Sequence, residues 1–213
     1  MTDEEYKQLS LREFDRAAAK FDDDDPSVYN LCREDYPDVW AEVIKEPFSD
    51  LLDAGCGTGA MLELFKRDAP DKNYTGVDLS EKMIEIAKKK RLEGIRFVAG
   101  DCEALPFEGS SFDVVTCSMS FHHYPNPDRF FASLHRVLRP GGRLILRDMA
   151  SNSRLLMWLM NHVEIPLANK LMGKGDVHVY SRDDIQRLCD SGGLKLELYE
   201  VRKGLRLHCV VRK

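Results

Sequence analysis

The residues best able to do chemistry in this 213-residue chain gather around one short stretch, "LLDAGCGTGA" at 51–60. An apolar run carries Asp53 into three alternating glycines, Gly55, Gly57 and Gly59. The spacing of Gly55, Gly57 and Ala60 fits G-x-G-x-x-G/A, in which the missing side chains let backbone approach a ligand where a strand turns into a helix. Thr58-Gly59-Ala60 contains no lysine, which excludes a Walker-type phosphate loop. Two more acids close apolar segments further on, Asp78 and Asp101. Asp78 lies 23 residues after Gly55, where an acid commonly grips ribose hydroxyls. That feature alone leaves a dinucleotide and a phosphate-free nucleoside ligand equally open.

The acids at 53 and 101 separate the two. A pyrophosphate would bring about two negative charges against an acid-lined rim. S-adenosylmethionine, with a sulfonium, an ammonium and one carboxylate, has a net charge of about plus one and suits the same rim. Side chains able to move a proton follow the fourth apolar segment: His122, His123 and Tyr124. Asp148 and His178 stand further along.

These groups need elements to hold them. From residue 50 the chain alternates strand and helix signals: "DLLDA", a helix at 59–67, "NYTGVDL", a helix opened by Ser80, "IRFVAG", "FDVVTCSMS", a helix at 127–138 stopped by Pro140 and Gly141, and "GRLILRDM". Two period-two stretches, "LKLELYEV" and "LRLHCVV", meet near Lys203-Gly204 as an antiparallel hairpin. Ser181 with Asp184 opens a helix between the fifth strand region and that hairpin. The expected fold is α/β and doubly wound: a mostly parallel, seven-stranded sheet ending in an antiparallel hairpin. Residues 3–20 and 27–46 read as two helices separated by the acidic turn "DDDD" at 22–25. One domain spans 1–213: a helical lid (1–47), a ligand-binding core (48–150), an insert covering the acceptor site (151–179), and the last helix with the hairpin (180–213).

Composition narrows the function classes. A net charge of −5 gives no broad attraction to nucleic acid or an anionic membrane. The polar start "MTDEEYKQLS" lacks a signal-peptide core, and no run approaches the roughly 20 apolar residues of a spanning helix. Six cysteines without a C-x-x-C pair argue against a zinc or dithiol site and for reduced thiols, so no metal is expected and a cytoplasmic location is.

In order and spacing, "LLDAGCGTG" (51–59), "GVDLSEKMIEIAK" (76–88), "GDCEALPFEGSSFDVV" (100–115), "FHHYPNPDRFFASLHRVLRPGGRLIL" (121–146) and "YSRDDIQRLCDSGGL" (180–194) resemble the class I S-adenosylmethionine-dependent methyltransferases. The likeness is greatest to the branch with the ubiquinone and menaquinone C-methyltransferases and many small-molecule enzymes. It implies the Rossmann-like methyltransferase fold, S-adenosylmethionine as cofactor and S-adenosylhomocysteine as product. It also implies roles. Asp53, Ala54, Gly55, Cys56 and Gly57 surround the methionine part. Asp78 takes the ribose, with Leu79 and Met83 near the adenosine. Gly100, Asp101 and Cys102 meet the adenine, and Ser118 lies beneath the sulfonium.

Methyl transfer from a sulfonium is an in-line displacement. Positioning can supply about 7–11 kcal/mol, against a factor of about 10²–10⁴ from a base. A base is therefore optional; His123, His122 and Asp148 are the leading candidates. The acceptor is expected to be a small apolar or aromatic molecule in a pocket including Tyr29, Tyr36, His123 and Trp158. RNA or protein methylation, cofactor binding without catalysis, and NAD-dependent redox chemistry remain as alternatives, and oligomeric state stays open. Nucleic acid is the weaker partner, because "CSMSFHHY" replaces the Asn-Pro-Pro-Tyr-type motif that holds base amino groups.

Overall fold

The computed structural model describes residues 1–22 and 33–213. Seven strands form one sheet: β1 (Asp50–Ala54), β2 (Asn73–Asp78), β3 (Ile95–Ala99), β4 (Phe112–Ser118), β5 (Leu138–Met149), β6 (Lys195–Arg202) and β7 (Arg206–Arg212). Their order is β3-β2-β1-β4-β5-β7-β6. Pairings among β1 to β5 are parallel, whereas β7 runs antiparallel to both β5 and β6. The expected parallel sheet with its closing hairpin is present. Strand order reverses between β1 and β4, so the crevice beyond their carboxyl ends is the place for a ligand.

Eight α-helices are described: α1 (Asp3–Ala17), α2 (Tyr36–Val43), α3 (Ala60–Asp68), α4 (Glu81–Lys89), α5 (Pro127–Val137), α6 (Arg154–Leu159), α7 (Ile165–Met172) and α8 (Arg182–Gly192). Local chemistry explains their ends. Ser80 Oγ accepts from Met83 N at 3.2 Å to start α4. Ser181 and Asp184 form a full capping box on α8. Asn126 with Pro127 starts α5.

Helices cover both faces of the sheet. Phe130, Phe131, Leu134, Ile185 and Leu188 pack one face against Leu144 and Leu146. Val39, Met61, Leu62, Phe65 and Ile84 pack the other against Ile145. Successive β5 residues thus serve opposite layers, as strand alternation requires.

The second N-terminal helix departs from expectation. Its described part is α2, which ends at Val43, not 46; the remainder of the expected span 27–46, with Tyr29, lies partly outside the described residues. An ion network not foreseen from sequence docks α2 onto the sheet. Arg147, 1% exposed within β5, pairs with Asp35 at 3.1 Å and Asp38 at 2.6 Å, and His208 Nε2 meets Glu42 at 3.0 Å. Such a charge is tolerable inside because its partners are ionic and close.

Candidate functional site

The turn after β1 is held open by its glycines. Gly55, Gly57 and Gly59 have φ of 76°, 52° and 79°, all in the left-handed region. A Cβ on Gly55 would lie 2.0 Å from Ser120 Oγ. The backbone amides of Gly55 and Cys56 both donate to the Val77 carbonyl, at 2.8 and 3.0 Å. Asp78 completes the brace. One carboxylate oxygen accepts from Gly57 N at 2.8 Å and the other from Ser80 N at 2.9 Å. Burial raises its pKa despite those two amides.

A cavity of about 390 Å³ opens on this loop. That size falls within the range of about 300–1,000 Å³ usual for ligand pockets. Gly55, Cys56, Gly57, Asp78, Leu79, Met83, Asp101, Cys102 and Ser118 line it, and so do Tyr36, His122, His123 and Tyr124. The sequence-derived set therefore converges in space. Ser118 Oγ, buried and lining the cavity, has no hydrogen-bond partner among the described residues. A polar atom in that state is what a ligand in the cavity would satisfy.

Several expected positions stand elsewhere. Asp53, Ala54 and Gly100 do not line the cavity. Asp53 is 2% exposed behind the loop, where Thr116 Oγ1 donates to it at 2.9 Å. Burial first, with the neighbouring Asp78 charge, pushes its pKa up to about 7. Of the three strand-end acids, Asp78 and Asp101 alone line the cavity, joined there by Glu13, Glu103, Glu164 and Asp176. Trp158 is 52% exposed and outside the cavity; Met160, Ile165, Ala168 and Met172 supply that wall instead. His178 also lies outside the lining, its Nε2 3.7 Å from Asp184.

Asp148 does not face the cavity either. It grips His122: His122 Nδ1 lies 2.7 Å from one carboxylate oxygen and the His122 amide donates to the other at 3.1 Å. A carboxylate only accepts, so Nδ1 carries a proton and, in the neutral ring, Nε2 holds the lone pair. Burial lowers the His122 pKa, but the charge and hydrogen bond of Asp148 outweigh it and the net shift is upward. His123 is the opposite case: burial and the adjacent His122 hold its pKa well below the usual value. The two ring centroids are 4.1 Å apart, with the ring planes tilted by 40°.

Asp176 approaches both imidazoles, 3.3 Å from His123 Nδ1 and 3.8 Å from His122 Nε2, and the three ligand atoms lie within 4.8 Å. His123 Nδ1 also lies 3.4 Å from the Gly175 carbonyl. A carbonyl and a carboxylate both accept, so this nitrogen donates and is not offered to a metal. Hydrogen bonding accounts for the cluster.

Sequence reading missed what α1 does. Lys7 Nζ reaches Asp101 at 2.7 Å and Glu103 at 2.5 Å, Asp15 accepts from Ser80 Oγ at 2.7 Å, and Ser10 Oγ donates to Gly175 O at 3.1 Å. Asp22, expected in a solvated acidic turn, accepts from Thr58 Oγ1 at 2.7 Å. The rest of that turn, 23–25, is outside the described residues. Only the sign of these side chains, not their targets, was visible in one dimension.

Fold and glycine turn together are those of a doubly wound α/β domain of the Rossmann-like methyltransferase type. Residues 52–146 match the methyltransferase domain family. It is 37% identical over 147 residues to the phthiotriol/phenolphthiotriol dimycocerosates methyltransferase of Mycobacterium tuberculosis, covering 64% of this chain and 54% of that protein. It is 33% identical over 148 residues to the demethylmenaquinone methyltransferase of Thermotoga maritima, covering 67% of this chain and 62% of that protein. The chain thus spans little more than half of the first of these relatives.

Among solved structures, the complex of the Haloferax volcanii Trm112 methyltransferase activator with its methyltransferase superposes with a TM-score of 0.75 at 20% identity, covering 94% of this chain and 97% of that one. The [4+2]-cyclase SpnF superposes with a TM-score of 0.71 at 16% identity, covering 98% and 96%. The shared fold therefore does not by itself set the reaction.

Proposed function

We propose that this chain transfers a methyl group from S-adenosylmethionine to a small apolar or aromatic acceptor. The observation that carries the reading is that one cavity is lined both by the glycine turn and by the Asp148-oriented His122. The residues present fit the cofactor. Gly55 and Gly57 leave room for its amino-acid part, Asp78 and Asp101 offer carboxylates to its hydroxyls and amino group, and Ser118 Oγ is unsatisfied beside them. When bound, the cofactor supplies an activated methyl on a sulfonium with a neutral leaving group.

The chain's own part is chiefly to position. Apolar Met160, Ile165 and Ala168 exclude water and hold an uncharged acceptor in line. For a hydroxyl or acidic-carbon acceptor, His122 Nε2 takes the proton, and Asp148 steadies the resulting imidazolium. His122 thus replaces His123 as the leading base, and Asp148 is a positioning residue. The relatives named for lipid and quinone substrates support an apolar acceptor. The five described cysteines are all buried and unpaired, which supports a reducing, cytoplasmic setting.

A second reading, cofactor binding without methyl transfer, draws on the cyclase neighbour. Parallel calorimetry with S-adenosylmethionine, S-adenosylhomocysteine and NAD, followed by a radiolabelled-methyl screen of apolar acceptors, tests both. Binding of both sulfur ligands with transfer is expected. Binding without transfer to any acceptor favours the second reading, and binding of NAD alone overturns both.

A further inference from the structure

Seven of the eleven exposed large apolar side chains among the described residues lie on one stretch of the chain. Leu155, Trp158, Leu159, Val163, Leu167 and Leu171, each 40% or more exposed, sit on the stretch from Arg154 to Met172. Isolated exposed leucines need no explanation, but a contiguous set does. Residues 155, 159, 163, 167 and 171 recur every four positions. In a plain α-helix that spacing drifts by about 40° per step. Here a wider π turn, Met160–Glu164, joins α6 to α7 and turns part of the drift back, so the side chains form one ridge. The opposite side of the same helices is inside: Met157, Met160 and Ile165 pack with Val179, and Met160, Ile165 and Ala168 line the cavity. Met172 does both, 65% exposed and on the cavity wall, so it stands at the mouth.

The geometry points to a lipid surface as the occupant of this ridge: α6 and α7 lie in the interface of an anionic bilayer, with the cavity mouth opening at its edge. Charge favours that partner. The stretch carries Arg154 near its start and Lys170 near its end against the single acid Glu164, in a chain whose net charge is −5. Cations flanking an apolar face that includes a half-exposed Trp are the pattern of an interfacial helix. Among the described residues no helix is long and apolar enough to cross a membrane, so the contact is with the surface only. Delivery of an apolar acceptor through this mouth rests on the function proposed above; docking itself rests on the ridge alone.

The test is co-sedimentation of the full chain with vesicles of phosphatidylcholine alone and of phosphatidylcholine mixed with phosphatidylglycerol. Trp158 emission is read in a Trp40→Phe background. The expected result is binding to the mixed vesicles with a blue-shifted Trp158. Arg154→Ala and Lys170→Ala should each weaken it about fivefold. The double variant Leu155→Glu/Leu167→Glu should weaken it at least about tenfold. Unchanged melting and S-adenosylhomocysteine affinity show that this double variant still folds. The inference is overturned by absence of binding to either vesicle, or by equal binding of the double variant. It is also overturned by a dimer in sedimentation equilibrium that the double variant dissolves while vesicles go unbound, because a second copy then covers the ridge. A chain that binds vesicles but neither sulfur ligand would sink the proposed function and leave the docking intact.

Discussion

Replacing Asp53 by Asn tests a buried carboxyl just behind the site. Its carboxyl is 2% exposed, has one hydrogen bond from Thr116, and lies near the Asp78 charge; burial raises its pKa to about 7. Between the ordinary value of 3.8 and about 7 the native state holds a proton that the unfolded state has lost. Native protein therefore binds more protons in this window, and stability falls as pH rises through it. Each pH unit costs about 1.4 kcal/mol, so the penalty reaches about 4 kcal/mol above pH 7 and is then constant.

Asn keeps an acceptor for Thr116 and has no charge to desolvate. In urea unfolding of the ligand-free chain, the gain from Asp53→Asn should be about 1–2 kcal/mol at pH 5 and about 4 kcal/mol at pH 8. The cost has a functional counterpart: a cationic ligand in the adjoining cavity favours the ionised carboxylate, so the variant should lose affinity for S-adenosylmethionine more than for uncharged-sulfur S-adenosylhomocysteine. An equal stability gain at both pH values would refute the burial argument.

Other outcomes follow from the same geometry. Asp78→Ala removes the acceptor for two backbone amides and should weaken cofactor binding about ten- to a hundred-fold by calorimetry; unchanged affinity would remove Asp78 from the site. With a hydroxyl acceptor, turnover should rise with pH through a value above the usual 6.5, as His122 loses its proton. Asp148→Asn should lower that midpoint and cut turnover by about 10²–10⁴, with a smaller loss in His123→Ala; the reverse ranking would return the base to His123. Gly55→Ala forces a Cβ to 2.0 Å from Ser120 Oγ at a left-handed φ, and should lower the melting temperature and abolish cofactor binding, with partial recovery in a Ser120→Gly background. Lys7→Ala frees Asp101 but leaves Glu103 buried without its cation. It should lower Tm while S-adenosylmethionine binds no more weakly; a large loss of affinity would show that Lys7 touches the ligand.

What could be read from sequence follows from how far each contact reaches. The β/α alternation, the caps at Ser80 and Ser181, and the glycine turn rest on neighbours a few residues apart, and the structure reproduces them. Asp53 was legible as an acid at a strand end, but not as one turned away from the cavity, because its partner Thr116 is on the adjacent strand. Asp148 and His122 were both visible as bases; that one holds the other is a contact across 26 residues. Trp158 was expected in the pocket because the run "LLMWLMNHV" has no helical period of its own; in the structure Met157 and Met160 turn inward and leave Trp158 half exposed.

This difference in reach also divides the labour of the cavity. The cofactor end is built from strand ends β1, β2 and β4 and their first turns, held by backbone hydrogen bonds within one parallel sheet. The wall proposed for the acceptor is built from α1 and the 154–179 region, whose contacts include Ser10 Oγ to Gly175 O at 3.1 Å and Lys174 to Glu13 at 3.4 Å. Contacts between side chains, not a sheet ladder, hold α1 there, so under the proposed function this is the wall that opens to admit an acceptor. Separating α1 from the insert would break them and withdraw Lys7 from Asp101 in the same movement, since both are carried on one rigid helix. Under the proposed function, entry of acceptor and access to the adenine-side carboxylate are thereby tied to the same element, whereas the glycine turn keeps its backbone hydrogen bonds to Val77 and to Asp78.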